Sequence, residues 1–466
     1  MEYRLQNRWK IEGKHLYYYG LRNKENLLKN KIQLSDKQLA VIRQLPKALS
    51  PDEMAILTPL LGKEIVPVDQ LKEDPKRIEE AQFCTRCAAN TYMIPGLEFD
   101  EKGECPICQT KELTQQLRSV VPLIEEIPHA KKSRFDVALF YTGGKDSTYL
   151  LYYLAKVKKL KVLALTWEIP YLSDNARKSI ENAKRHFSTV EFINRYVSNA
   201  DMQTIYKKLY ELSGNTCACP SLAYVLFYPT LVEERVPYFI AGNEPSQLIG
   251  LYYNGLAPKM AYSFSENKIL QFITNIGRIL TLHPPLKKGQ LHTLMTMRQL
   301  AYGDSILKKW AGYKNDLIGN VVDAIHQVPS ILQPLKRSIR KSSWTGHIPA
   351  FVQIDLDKIS GGTYDWKSVK ELIEKECGWV SLPDNTKGLH TSCQIEKCKE
   401  YSQFIRFYRC KSKLIPFSAL EMALASGAKS LSKEESIQEI KTHLGFSLEE
   451  VPECKIMTQF IDEKWE

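Results

Sequence analysis

The sequence predicts a mixed α/β protein built around a doubly wound parallel sheet. Between about residues 134 and 245, short apolar runs alternate with segments of helical length. The apolar runs contain no regular polar alternation, as expected of strands that helices cover on both faces. The flanking regions differ: residues 1–80 predict a helical module, residues 81–115 are rich in cysteine, and the C-terminal region predicts mostly helices.

Length and composition favour several domains in one chain. The 466 residues exceed one typical domain, and 44% apolar with 25% charged residues is ordinary for a globular protein. The predicted segments are 1–80, helical; 81–115, cysteine-rich; 130–260, α/β; 261–350, basic and helical; and 351–466, helical. The N-terminal MEYRLQNRWK has no apolar core, and no run approaches the ~18 apolar residues of a membrane span. We therefore expect a cytoplasmic protein with no membrane partner.

Helix starts in the two flanking regions are predicted from capping boxes, in which a serine is followed three residues later by Glu or Gln. The boxes are Ser35–Gln38, Ser50–Glu53, Ser418–Glu421 and Ser432–Glu435. Pro51, directly after Ser50, suits the first position of a helix.

The α/β part yields four strands and four helices in alternation. The predicted strands are 136–141, 161–167, 190–193 and 238–241, and the predicted helices are 146–158, 174–187, 200–212 and 221–235. Helices of this length between strands indicate parallel crossover connections.

Two cysteine pairs precede the α/β part. Cys84 and Cys87 are separated by two residues, as are Cys105 and Cys108, and seventeen residues lie between the pairs. This spacing is typical of a zinc ribbon, in which two turns direct four thiolates to one ion. Because four cysteines close the coordination shell, the sequence predicts structural Zn²⁺; the alternative is four free thiols.

A glycine turn joins the first predicted strand to the first predicted helix. Gly143 and Gly144 allow a sharp turn and the close approach of an anion, which the helix N-terminus would attract. Lys145 adds a cation, Asp146 could hold a metal ion, and Ser147 could cap the helix or donate to a phosphate. The pattern is not a Walker loop. The residues alone leave two interpretations: a phosphate site, or a tight connection with a polar cap.

The stretch TGGKDSTYLLYYLAK resembles the S-G-G-x-D-S loop of the PP-loop ATP pyrophosphatases, the adenine nucleotide alpha hydrolases, with Thr142 in place of the usual serine. The resemblance implies a HUP-type fold, ATP and Mg²⁺, and adenylation of an acceptor oxygen before nitrogen or sulfur displaces AMP. It also implies that the five residues after Thr142 bind the phosphates and that Asp146 is catalytic.

The same resemblance extends to the ends of two other predicted strands. Thr166 and Trp167 would border the adenine, and Gly242, Asn243 and Glu244 would close over the nucleotide. For the last three, a plain turn is the alternative. In open parallel sheets, ligands bind at the carboxyl ends of the strands, which is where these residues are predicted to lie.

A further cysteine pair, Cys217 and Cys219, follows a predicted helix. Relatives in the resembled family commonly have C-x-x-C here. A thiol at a helix N-terminus is activated, so the pair could carry sulfur as a persulfide, ligate an iron–sulfur cluster or a second zinc, or simply pack as small apolar residues. His390, Cys393 and Cys398 form a weaker set, which we interpret as packed residues.

The order of the cysteine pairs, the glycine loop and the later cysteines is similar to the N-acetyl-sugar amidotransferase and thiolase branch. This implies a transferase acting on a small-molecule or carrier-bound acceptor. A separate glutaminase would be the partner if nitrogen is transferred, and a sulfur-donor protein if sulfur is.

Two alternative functions stay open at this point. One is a tRNA-thiolating enzyme, because the net charge is +11 and basic residues cluster around a tryptophan: Lys336, Arg337, Arg340, Lys341 and Trp344. A solvated basic face would give the same pattern. The other is a non-catalytic nucleotide-binding module.

Overall fold

A computed structural model describes the chain in eleven stretches. They are residues 1–23, 30–109, 121–214, 218–219, 221–255, 265–303, 316–383, 387–389, 392–444, 446 and 448–465. Among these residues, no helix combines the length and the apolar character needed to pass through a lipid bilayer.

The described strands number eleven. They are β1 (Glu2–Leu5), β2 (Trp9–Glu12), β3 (His15–Tyr18), β4 (Lys31–Gln33), β5 (Lys47–Ala48), β6 (Ile65–Pro67), β7 (Val137–Phe140), β8 (Val162–Glu168), β9 (Glu191–Tyr196), β10 (Tyr238–Ala241) and β11 (Ala350–Phe351).

The described α-helices are numbered in chain order. They are α1 (Asp36–Ile42), α2 (Pro51–Leu57), α3 (Lys145–Tyr152), α4 (Asp174–His186), α5 (Asn199–Ser213), α6 (Ser221–Glu233), α7 (Pro245–Tyr253), α8 (Lys268–Leu280), α9 (Gln290–Tyr302), α10 (Asp316–Ile325), α11 (Pro329–Thr345), α12 (Leu356–Ile359), α13 (Trp366–Cys377), α14 (Glu396–Tyr408), α15 (Phe417–Gly427), α16 (Lys433–Glu439) and α17 (Pro452–Asp462). Single π-turns come after α3 and α16.

The chain divides into two compact units. The first comprises Met1–Lys111, Gln403–Gly427 and Ser432–Glu449, and the second comprises Glu112–Ser402, Ala428–Leu431 and Glu450–Glu466. The finer division into five segments stays a prediction.

The N-terminal part of the first unit contains two β-sheets as well as helices, so the prediction of a helical module was wrong. Two three-stranded antiparallel sheets form, in the orders β5-β1-β6 and β2-β3-β4. The only described helices within residues 1–80, apart from short 3₁₀ turns, are α1 and α2. Their apolar faces close a small core with the sheets, formed by Trp9, Leu16, Leu34, Leu39, Val41, Ile42, Leu57, Leu60 and Ile65.

Three of the four capping boxes are confirmed. Ser35, Ser50 and Ser432 each accept a hydrogen bond from the backbone three residues on, and the Gln or Glu there reaches back. The box at Ser418 does not form, because α15 already begins at Phe417 and Ser418 lies buried within the helix.

The second unit contains a parallel five-stranded sheet in the order β11-β10-β7-β8-β9, as predicted for the α/β part. The four predicted strands and four predicted helices are all present, with ends shifted by a few residues. Strand β11 is an addition from the C-terminal region that the sequence did not predict. All four residues of β7 are buried, which agrees with helices covering both faces.

The chain order of these strands runs outward in two directions from β7. Strands β8 and β9 lie on one side, whereas β10 and β11 lie on the other. The order therefore reverses between β7 and β10, and crossovers of one hand place helices on opposite faces on the two sides of this point. A crevice for a ligand is expected at the carboxyl ends of these two strands.

Candidate functional site

The turn between β7 and α3 depends on Gly143. Its φ of 72° lies in the left-handed region. A Cβ at this position would lie 2.6 Å from the carbonyl oxygen of Ala176, so only glycine fits without a shift of the backbone. Gly144 is the N-cap of α3, and no side chain caps the helix there. The turn thus presents the N-terminus of a helix at the reversal point of the sheet, where backbone N–H groups attract an anion.

Two hydroxyl groups hold the turn in shape. The Oγ1 of Thr142 lies 3.2 Å from the Oγ of Ser147, and the backbone N–H of Thr142 donates to the same Ser147 oxygen at 3.3 Å. Ser147 also donates to the carbonyl of Gly144 at 3.1 Å. Ser147 is buried whereas Thr142 is exposed. Thr142 and Ser147 therefore place two hydroxyl groups in the loop.

The loop after β10 packs against the first turn of α3. A Cβ on Gly242 would lie 2.4 Å from the Cβ of Ser147, so this glycine permits the close approach. Asn243 is the next residue, with its side-chain amide donating to Gln247 at 2.9 Å. Glu244 is the N-cap of α7. The structure brings together the two glycine loops that the sequence singled out separately.

Lys145 does not extend into solvent but occupies a buried cage. Its ammonium contacts a carboxylate oxygen of Asp146 and lies 3.1 Å from the Oε2 of Glu244. The rings of Tyr364 and Trp366 complete the cage, with centroids 4.6 and 4.7 Å from the ammonium nitrogen. Burial disfavours the charged form, but the Asp146 and Glu244 carboxylates outweigh it, so the pKa of Lys145 is raised. Lys145 thus keeps its positive charge, which the neighbouring carboxylates of Asp146 and Glu244 balance.

Two aromatic residues of the C-terminal region fix the glycine turn. The hydroxyl of Tyr364 donates to the Oδ1 of Asp146 at 2.8 Å, and the indole N–H of Trp379 donates to the carbonyl of Gly143 at 3.0 Å. Burial, followed by the charges of Asp146 and Glu244, raises the pKa of Tyr364 well above its ordinary value, so it stays a donor. The sequence did not predict either residue, because no motif links them to the loop.

Thr166 and Trp167 lie near the end of β8, as predicted. The hydroxyl of Thr166 donates to the carbonyl of Tyr141 at 2.9 Å, which ties the ends of β7 and β8 together. Trp167 is buried, and its indole N–H has no partner within the described structure. Their role beside an adenine stays a prediction.

The later cysteines do not form one cluster among the described residues. Cys219 is exposed and lies just before α6, whereas Cys217 and His390 fall outside the described residues. Cys393 is half-buried and pairs through its backbone with Leu172. The roles predicted for Cys217 and Cys219 stay predictions.

Cys398 has a neighbour that the sequence did not identify. Its sulfur lies 2.8 Å from that of Cys454 on α17, and both residues are buried. Nothing in the spacing of two cysteines 56 residues apart signals this contact. Their burial agrees with our interpretation of Cys398 as a packed residue.

In the first unit, the two early cysteine pairs converge as predicted. The four sulfur atoms of Cys84, Cys87, Cys105 and Cys108 all lie within 4.8 Å of one another. The sulfurs of Cys87 and Cys105 are 3.5 Å apart, and those of Cys84 and Cys108 are 3.9 Å apart. Four thiolates at ~2.3 Å from one tetrahedral ion would lie about 3.8 Å apart. The spacing therefore fits a single ion, whereas the irons of a cluster would hold the sulfurs farther apart.

Backbone donors stabilise this four-cysteine group. The N–H groups of Arg86 and Cys105 donate to the Cys84 sulfur at 3.4 and 3.3 Å, and that of Ala89 donates to the Cys87 sulfur at 3.4 Å. The adjacent Cys105 and Cys108 thiols lower the pKa of the Cys84 thiol. Three of the four cysteines are fully buried, so the site is closed.

The zinc-ribbon prediction is confirmed only in its four-cysteine group. Residues 81–109 are described throughout and contain no regular strand; one antiparallel bridge joins Phe83 to Asn90. The turn at Gly103, with φ of 74°, returns the chain so that Thr85 N–H can donate to the Gly103 carbonyl at 3.0 Å.

The basic cluster that the sequence analysis identified around Trp344 lies on α11. Arg337, Arg340, Lys341 and Trp344 are exposed, and their spacing places them on one face of the helix. Lys336 is half-buried and lies 5.6 Å from the ring centroid of Tyr302.

No protein-family model matches the chain, and no curated protein matches it. Among solved structures, the chain is similar to the U34-tRNA thiolase NcsA from Methanococcus maripaludis with its [4Fe-4S] cluster. The identity is 18%, the TM-score is 0.22, and the match covers 57% of this chain and 86% of the other.

Proposed function

We propose that this protein is an ATP-dependent, AMP-forming transferase of the PP-loop type. The observation that carries the proposal is the meeting of two glycine loops at the reversal point of a parallel sheet. Gly143 and Gly242 each occupy a position where a side chain would collide with the neighbouring helix. Such close packing beside the N-terminus of α3 supports a site for the phosphates of a nucleotide.

The reaction we propose has two displacement steps. A carbonyl or amide oxygen of the acceptor attacks the α-phosphorus of ATP, and the bond to the pyrophosphate oxygen breaks. A nitrogen or sulfur nucleophile then forms a bond to the activated carbon, and AMP leaves with the former acceptor oxygen. The backbone N–H groups at the start of α3 would bind the departing pyrophosphate and thereby stabilise its negative charge.

The charges of the cage support a requirement for Mg²⁺. Asp146 and Glu244 provide two carboxylates, whereas Lys145 provides one ammonium. Their balance is negative, which disfavours a polyphosphate unless a divalent cation accompanies it. Asp146, which is partly exposed, would hold the ion, and Tyr364 would orient its carboxylate.

The proposal is tested by ATP binding and pyrophosphate release. Isothermal titration with a non-hydrolysable ATP analogue and Mg²⁺ should show one site per chain. Asp146→Asn is expected to weaken binding at least about tenfold, since a charge-assisted contact is worth ~1.5–3 kcal/mol. The matched control is Asp174→Asn, an exposed aspartate in the first turn of the neighbouring α4. If the unmodified protein binds no nucleotide, the proposal is wrong.

A tRNA acceptor is a second candidate, supported by the exposed basic face of α11. Arg337, Arg340 and Lys341 lie on one exposed face of this helix and could contact the phosphates of a nucleic acid. The exposed Trp344 on the same face could stack on a base. Arg340→Gln with Lys341→Gln should then weaken tRNA binding and flatten its salt dependence. An unchanged salt slope would leave a solvated basic face as the explanation.

For the four-cysteine group we propose one structural Zn²⁺. The sulfur spacing and the backbone N–H···S bonds support a closed, single-ion site. Bound metal would join the turns at Cys84 and Cys105 and so contribute to folding rather than to catalysis.

A further inference from the structure

Helix α8 exposes an unusually large apolar surface. Seven large apolar side chains in and directly after this helix are between 41% and 80% exposed. They are Ile269, Phe272, Ile273, Ile276, Ile279, Leu280 and Leu282. We call the six within the helix the apolar stripe. Contiguous exposed patches beyond a few hundred Å² mark interaction sites in soluble proteins.

The side of α8 that faces the protein is held mainly by polar residues, together with Leu270, which packs against Leu286, Leu294 and Ile348. Asn275 donates to the carbonyl of Leu286 at 3.0 Å and accepts from its N–H at 2.7 Å. The guanidinium of Arg278 donates to the carbonyls of Pro284 and Ser343, at 2.7 and 3.4 Å. This orientation is the reverse of an ordinary surface helix, which turns its apolar face to the core. The helix is thus anchored by specific hydrogen bonds with its stripe outward.

The spacing within the stripe indicates what covers it. Ile269 and Ile276, Phe272 and Ile279, and Ile273 and Leu280 are each seven residues apart. This repeat is typical of a helix that packs lengthwise along another helix. A lipid surface would instead favour many basic residues on the polar side. Helix α8 carries only one lysine and one arginine.

We propose that the stripe pairs with the α8 stripe of a second copy of this chain. A self-complementary patch needs no other partner, since a twofold axis brings the same surface to both sides. The six side chains of the stripe are 41% to 78% exposed, so together they offer on the order of several hundred Å² toward the ~800 Å² per partner that a stable interface buries. An antiparallel arrangement of the two helices would place Ile273 of one copy near Ile276 of the other. The inference does not depend on the proposed enzymatic function.

The test is the oligomeric state of the full chain in solution. Light scattering after size-exclusion chromatography at micromolar concentration should give a dimer. Ile273→Glu places a charge in the buried interface and is expected to weaken dimerisation at least ~100-fold. Ile456→Glu is the matched control, because Ile456 is 40% exposed on α17, outside the stripe. Circular dichroism confirms that each variant is folded.

A mixing experiment tests whether a second copy of the chain covers the apolar stripe. Ile273→Glu and Ile276→Lys should each be monomeric alone, and an equimolar mixture should form a heterodimer through opposite charges. Two outcomes would overturn the inference: an unmodified protein that is monomeric, or a mixture that does not associate. Binding of the monomer to anionic phosphatidylserine vesicles, lost in Ile273→Glu, would assign the stripe to a membrane surface instead.

Discussion

Replacing Lys145 by methionine tests whether the buried ammonium holds the cage together. Methionine keeps most of the alkyl chain against Tyr364 and Trp366 but removes the charge that faces Asp146 and Glu244. The side chains of Lys145 and Glu244 are each only 2% exposed, so water cannot replace the lost partner. Removing one member of a buried ion pair costs about 3–5 kcal/mol. We expect Lys145→Met to lower the free energy of unfolding by that amount.

The pH dependence of this loss is set by the direction of the Lys145 pKa. Because that pKa is raised above its ordinary 10.5, the lysine stabilises the fold fully below the unfolded-state value. The contribution disappears only as the pH rises through the folded-state value. The difference between the unmodified protein and Lys145→Met should therefore be the same at about pH 7 and about pH 9.

Urea denaturation without nucleotide, monitored by tryptophan fluorescence, measures the loss. Lys178→Met is the control, since Lys178 is exposed on α4. Combining Lys145→Met with Glu244→Gln removes one orphaned charge and should recover part of the stability. A loss below ~1 kcal/mol, or no recovery in the double variant, would refute the view that the cage depends on a charged lysine.

Two further changes test the neighbouring site and the metal group. Tyr364→Phe removes the hydrogen bond to Asp146 but keeps the ring, so Mg²⁺-dependent ATP binding should weaken by ~10- to 100-fold in calorimetry; unchanged binding at every Mg²⁺ concentration would limit Tyr364 to a structural role. Cys105→Ser should abolish bound zinc, measured per chain by elemental analysis, and lower the melting temperature. The half-buried Cys410 lies outside the four-cysteine group, and Cys410→Ser should keep the metal. Zinc retained by Cys105→Ser would contradict the four-thiolate site.

The α/β part was predictable because its signals are local. An apolar run such as Val137–Phe140 is buried on both faces, so it indicates a strand without reference to distant residues. The cysteine turns are also local, since each pair needs only the backbone between its members. Local signals therefore identified the sheet, the glycine turn and the four-cysteine group.

The N-terminal sheets were missed although a signal for one of them was present. Strands β2 and β3 are joined by the two residues Gly13 and Lys14, with Gly13 at a φ of 61°. Glycine at the first position of a two-residue loop between short amphipathic runs is typical of a hairpin. The genuine capping boxes at Ser35 and Ser50 favoured helices that prove to be only two turns long.

The box at Ser418 shows a different limit of sequence patterns. Its spacing is the same as in the three boxes that form, but α15 is almost completely buried. A helix start depends on where tertiary packing fixes the first turn, and here that turn begins at Phe417, whose N–H donates to Gln403 at 3.0 Å. Propensity is overridden by packing in such a helix.

The role of Lys145 could not be derived from the loop alone. The sequence places a cation beside two glycines, which predicts a direct contact with phosphate. The cage forms because Tyr364 and Trp366, which lie more than 200 residues later in the chain, contact Asp146 and the Lys145 ammonium. No local sequence pattern links these two residues with the loop. In the ATP site that we propose, Asp146 and Glu244 neutralise the ammonium, so anion binding would rest on the helix N-terminus and on a divalent cation. The lysine then acts by holding the two carboxylates in place, so its loss should disrupt Mg²⁺-dependent binding rather than remove a simple phosphate contact.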